Sequence, residues 1–221
     1  MKTILILIFT SAVCLAQEFT VQKVLGNVFV QKGFKENVEK LRVNDKLLKD
    51  DMIITDENSF IQLLGNDGSN FILRANSALG LNYLKKISLN DLLLALTQEE
   101  IRAIPRKKIS SSNTAVYGTK ESTEKKVILE NKLGLRKING AKQLAENGFK
   151  ESAILAAKET FRKYPETAKK FEDRLFFADI LSEIGLKEEA ISEYSKLNEI
   201  AKSENQKNLL QKRLEEIALM K

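Results

Sequence analysis

The stretch from Val24 to Leu81 leaves this chain few folds to choose from. Three short apolar runs alternate with clusters of Gly, Asn and Asp. Val28 and Val30 alternate with Asn27, Phe29 and Gln31. Ile61, Leu63 and Leu64 follow Ser59, and Phe71, Ile72 and Leu73 follow Asn70. Short runs rich in β-branched and aromatic residues, bounded by turn formers, read as strands. Gly65-Asn66-Asp67-Gly68 predicts a hairpin, because Gly and Asn tolerate the positive φ of tight turns. Gly26 and Gly33 punctuate the chain in the same way. Apolar runs joined by so short a turn must pair, since unpaired buried backbone is costly.

The order of the turn motifs resembles the FecR-type domain, named for a periplasmic regulator of iron-citrate uptake. The matching residues are Gly26, Asn44-Asp45, the step from Asp51 to Thr55, Asn58-Ser59, Asp67-Gly68-Ser69 and Asn76-Ser77. A later signature falls on Thr114-Ala115-Val116-Tyr117-Gly118-Thr119, where Tyr117 replaces the family's Arg. The resemblance implies an all-β sandwich or roll over residues 17–119. Its motif positions here are Gly26, Asp45, Thr55, Ser59, Asp67, Gly68, Ser77, Gly118 and Thr119.

Residues 1–16 read as an export signal. Lys2 supplies the positive start, Ile4 to Phe9 the apolar run, and Cys14-Leu15-Ala16 the small-residue exit. Val13 before Cys14 speaks against lipid anchoring, because the lipobox wants a small residue there. The expected location is periplasmic or extracellular. No later run is long enough for a transmembrane helix of about twenty residues. Beyond Cys14 the chain has no Cys, and it has no His or Trp anywhere. This excludes disulfides, Cys nucleophiles and His-based sites from the mature chain. The net charge of +6 is spread over both halves, whereas a nucleic-acid binder would concentrate it on one face.

Leu84 to Pro105 breaks the strand rhythm. Ser88 to Asp91 offers N-caps, and leucines and isoleucines then recur at helical spacing until Pro105. The pattern predicts a helix over about 91–104, packed on the open face of the β-domain or reaching for a partner. Arg106-Lys107-Lys108 reads as a solvated helix exit, and Ser110 to Asn113 as a loop to a last strand. The polar stretch 118–124 suggests a domain boundary, with residues 120–138 as a connecting helix.

Residues 139–221 carry an internal repeat. Gly148 matches Gly185, Ala153 matches Ala190 and Ile154 matches Ile191, all offset by 37 residues. Ala141 with Ala153, and Ala178 with Ala190, place a small residue on each of two antiparallel helices, with a Gly at the turn between. This pattern looks like the tetratricopeptide repeat, whose usual period is about 34 residues. The surplus fits the loop after Pro165. The helix over about 203–220 would cap the array. The resemblance implies a concave partner surface, with Leu144, Leu181 and Tyr194 as candidate partner-binding positions.

Asp50-Asp51, Asp56-Glu57 and Asp67 invite a calcium or glycosidase reading. They also sit at turns, where Asp is a standard residue. No Gly-rich phosphate loop follows a strand, and no Ser has a His to activate it. No catalytic, cofactor or metal residue is assigned. The sequence thus predicts an α+β, multidomain chain: an all-β FecR-like domain with a helical insert, then an all-α tetratricopeptide-like domain. The expected function is that of a non-enzymatic exported binding or scaffold protein of the cell envelope. Its expected partner is an envelope protein or a cell-wall polysaccharide, not a nucleic acid. Envelope signal relay and a carboxylate-dependent glycan hydrolase are the alternatives.

Overall fold

A computed structural model describes residues 18–33, 38–104 and 120–219. The expected export segment with Cys14, the basic run 106–108, the expected loop 110–113, the expected last strand at 114–116, and Gly118 and Thr119 lie outside them.

Eight antiparallel strands come first. They are β1 (Glu18–Leu25), β2 (Val28–Gln31), β3 (Val38–Lys40), β4 (Lys46–Leu48), β5 (Met52–Thr55), β6 (Phe60–Gly65), β7 (Asn70–Leu73) and β8 (Ser77–Gly80). They form two four-stranded sheets, ordered β4-β1-β6-β7 and β3-β2-β5-β8. Side-chain alternation decides which face is buried. Ile61 and Leu63 of β6 and Phe71 and Leu73 of β7 point inward, as do Val28 and Val30 of β2 and Ile53 of β5. Both sheets contribute to one core. Each fully buried Leu or Ile there is worth about 1.5–3 kcal/mol of transfer free energy.

The turns explain the register. Asn44, Asn58 and Asn76 have φ of 71°, 53° and 54°. Asn is among the few residues with a side chain that enter this left-handed region readily. Each precedes a motif residue whose side chain then ties the turn. The Asp45 carboxylate accepts from Arg42 N at 2.7 Å, and Ser59 Oγ accepts from Asn27 N at 2.9 Å. Thr55 Oγ1 donates to Arg74 O at 2.7 Å and accepts from Ser77 N at 3.0 Å. At the β6–β7 hairpin, Gly65 N donates to Ser69 O at 2.8 Å and Gly68 holds φ 80°.

Six helices follow: α1 (Leu89–Ala103), α2 (Lys120–Glu146), α3 (Lys150–Lys163), α4 (Phe171–Glu183), α5 (Lys187–Ile200) and α6 (Glu204–Leu219). Ser88 caps α1, its Oγ accepting from Asp91 N at 3.1 Å. Helix α1 packs chiefly on α3 rather than on the open face of a sheet. It buries Leu92 and Leu96 and leaves Leu94, Ile101 and Ile104 exposed.

Helices α2 and α3 form one hairpin, and α4 and α5 a second. Both close identically. Gly148 and Gly185 have φ of 88° and 87°. Phe149 N bonds Leu144 O at 3.1 Å, and Leu186 N bonds Leu181 O at 2.9 Å. The glycine amides reach back to Ala145 O and Ser182 O, completing the Schellman pattern that satisfies a helix's last carbonyls. A 3-10 turn, Pro165–Lys169, joins α3 to α4. Helix α6 packs on α5.

Helix α2 does not stop at residue 138. It runs unbroken to Glu146 and packs on β8 as well as on α3. At Gly140 the helix approaches β8 so closely that a Cβ would run into Ala78 O. Gln143 accepts from Arg74 N and donates to Ser77 Oγ, both at 2.6 Å, and Arg136 pairs with Asp56 at 2.7 Å. One continuous apolar cluster runs through both halves.

Candidate functional site

Helices α1, α3 and α5 leave a groove of about 540 Å³ between them. Leu96 and Leu181 give it an apolar floor, and Ala103 lies at its exposed edge. Two buried carboxylates flank the floor. Glu99 accepts from Arg102 Nη1 and from Arg162 Nε, each at 2.6 Å. Glu193 accepts from Lys158 Nζ at 2.5 Å, Arg174 Nη2 at 3.0 Å and Lys196 Nζ at 3.2 Å.

Buried carboxylates persist only when paired and hydrogen-bonded. Burial opposes ionisation of Glu193, but Lys158 and Arg174 prevail and hold its carboxyl down to about 2. Burial pushes the Lys158 ammonium down, against the pull of Glu193. Three cations around one carboxylate keep the cluster ionised at neutral pH. The groove's remaining acids, Glu100, Glu188 and Glu189, make no ion pair among the described residues. The groove therefore has an apolar floor, fixed walls and an acidic rim.

The sequence signal for these carboxylates is an acid inside an apolar stripe. Glu99 continues the spacing of Leu92 and Leu96, and Glu193 sits among Ala190, Tyr194 and Leu197, all buried. An acid on the inward face of a helix is a candidate for pairing or function.

The candidate partner-binding residues need correction. Leu144, Leu181 and Tyr194 are 0–1% exposed. Leu144 and Leu181 supply the carbonyls of the two helix-turn closures, and Tyr194 Oη donates to Asp179 Oδ1 at 2.7 Å. These side chains fill the space between helices. Only Leu181 borders the groove, as part of its floor.

The strand-half motif residues serve the turns. Gly26, with φ 73°, sits against Ser59, and Thr55 is bonded to Ser77. Asp67 Oδ1 accepts from Ser69 N at 3.0 Å and Ser69 Oγ at 2.5 Å, which lowers its pKa. The acids weighed for calcium or sugar chemistry are dispersed. Asp51 accepts from Leu48 N at 2.8 Å and Gly33 N at 3.2 Å, while Asp56 faces Arg136. Among the described residues no group of three or more Cys, Asp or Glu is placed to hold a metal ion. No helix among them is long and apolar enough to cross a membrane.

Comparison of the chain with protein-family models, with curated proteins and with solved structures finds no match.

Proposed function

We propose that this chain is an exported, non-enzymatic binding or scaffold protein of the cell envelope. In this reading, a FecR-like β-half positions a tetratricopeptide-like helical half for a partner. The groove of α1, α3 and α5 carries the reading. Its apolar floor offers burial, and its unpaired acids suit a partner segment bearing Lys or Arg beside apolar anchors. Its buried carboxylates are each clamped between cations, an arrangement suited to fixing shape. The two identical hairpin closures support the repeat resemblance. The left-handed Asn turns tied by Ser or Asp support the FecR-like resemblance. The apolar start of the chain supports export, and an envelope protein is the partner class that the acidic rim favours over polysaccharide.

The test has two arms. The tagged full chain is expected in the periplasmic or extracellular fraction, and a chain lacking residues 1–16 in the cytoplasm. Cross-linking from an envelope extract is expected to capture a basic partner with the parent chain, and not with Glu100→Lys/Glu188→Lys/Glu189→Lys. Equal capture by both chains ends the groove reading. Retention of the full chain in the cytoplasm ends the export reading.

A further inference from the structure

A second cavity, of about 460 Å³, lies where the two halves meet. The β-half contributes Gly33, Asp50, Met52, Gly80 and the Tyr83 ring. Helices α2 and α3 contribute Lys137, Glu159 and Lys163, and Tyr164 follows α3. The volume lies within the range of small-molecule sites, which is about 300–1,000 Å³.

Its charge is unbalanced at one end. Glu159 accepts from the Tyr83 hydroxyl and from the Lys163 ammonium in two very short hydrogen bonds. Both oxygens of that carboxylate are thus engaged. Lys137 also faces the cavity, half-buried, and among the described residues no carboxylate lies within ion-pair distance of it. Its Nζ sits 5.7 Å from the centre of the Tyr164 ring. Burial lowers its pKa, and the like charge of Lys163 lowers it further. At this helical end Lys137 and Lys163 stand against Glu159 alone, one positive charge in excess, while the carboxylates of Asp50 and Asp51 border the cavity on the β side. A half-buried cation without a counter-ion is costly, and an anion entering the cavity would offset that cost.

The rest of the lining says what body the anion carries. Tyr83 and Tyr164 present aromatic surface, which accepts the C–H face of a saturated ring. Asp50 and Asn82 lie on the β side, where ligand hydroxyls would find acceptors. We propose that this cavity binds a small monocarboxylate with a hydroxylated ring, of the sugar-acid class, with the carboxylate on Lys137. This site is distinct from the α1–α3–α5 groove and does not rest on it. Because both halves line the cavity, the ligand clamps them together, so binding stabilises the whole chain.

Calorimetry and thermal unfolding of the full chain with D-glucuronate test the proposal. D-glucose serves as the neutral control and inorganic phosphate as the bare-anion control. The expected result is one-to-one glucuronate binding that raises the Tm, with glucose and phosphate each at least tenfold weaker. Lys137→Met is expected to keep the ligand-free fold and lose at least tenfold in glucuronate affinity, whereas Lys137→Arg retains most of it. Glu188→Lys, in the other groove, is expected to bind like the parent. Amide shifts at Gly33 and Gly80 on titration place the ligand in the cavity. Unchanged binding by Lys137→Met overturns the proposal. Equal affinity for glucose removes the carboxylate from it, and equal affinity for phosphate removes the ring.

Discussion

The two helical hairpins are copies by sequence and neighbours in space, yet they are anchored by opposite means. Both close on a Gly at φ near 88° with the same pair of backbone bonds. The difference begins at equivalent positions 37 residues apart. The first hairpin has Gly140 where the second has Phe177, and Ala156 where the second has Glu193. Gly140 lets α2 lie directly on β8. Phe177 instead fills the helical core, edge-on to Phe161 at 6.0 Å. Ala156 carries no charge and borders the cavity between the halves, while Glu193 binds Lys158 of the first hairpin and Arg174 of its own. One copy is thus held by close backbone approach to a sheet, the other by a buried ionic cluster. A repeat fixes the turn geometry, and single substitutions within it decide what each copy attaches to.

The comparison can be broken most strongly at Glu193. Glu193→Ala strands three cations around a void, and removing one partner of a buried pair costs about 3–5 kcal/mol. Urea unfolding of the variant measures the loss. Ala156→Ser at the equivalent place is expected to cost far less. The ionic anchor also predicts a pH signature. The folded pKa of Glu193, about 2, lies below its ordinary 4.5, so its stabilisation is present above about pH 4.5 and lost as pH falls towards 2. In Glu193→Gln the stability difference from the parent is expected to shrink over that window. A constant difference would show that the cations contribute nothing through charge.

The sheet anchor is next in size. Gly140→Ala places a methyl against Ala78 O, and overpacking of this kind costs about 1–3 kcal/mol. The same loss should appear as faster amide exchange at Ala78 and Gly80 of β8, and an unchanged exchange pattern there would argue against close docking. Residues 17–122 expressed alone, without α2's docking surface, are expected to keep antiparallel β circular dichroism and to melt below the full chain. Equal melting temperatures would make the two halves independent. The smallest effect expected lies in the shared element. Gly148→Ala and Gly185→Ala should each cost about 1 kcal/mol, and by matching amounts, because both force a Cβ into the left-handed region.

What was legible in the sequence was local. The β6–β7 hairpin, the Ser88 cap and the Gly148 and Gly185 turns depend on bonds between residues a few positions apart. Turn formers and periodicity report such bonds directly. The long pairings left weaker traces. Arg136 meets Asp56 across 80 positions, and Arg162 meets Glu99 across 63. Neither residue of such a pair is unusual by itself. The polar stretch 118–124 suggests a boundary because it lacks apolar residues, while the contact that joins the halves is made by Gly140 and Gln143 further along α2. Leu144, Leu181 and Tyr194 hold repeat positions, and such positions mark packing between helices as strongly as contact with a partner. Lys137 and Glu193 carry no strong mark in the sequence, because a charge on a helix reads as solvated until its neighbours are known.

Helix α2 has 27 residues and so extends for roughly 40 Å. Its later turns are bolted to the β-half, through Arg136 on Asp56 just after β5 and through Asn139 and Gln143 on the turn before β8 and the start of that strand. The four bonds, counting both of Gln143, lie side by side rather than in series. A tension pulling the helical half away along that axis loads them together as a shear joint, and none can be unzipped first. Helix α2 thus acts as a strut between the halves, and force on one half is delivered to a strand of the other.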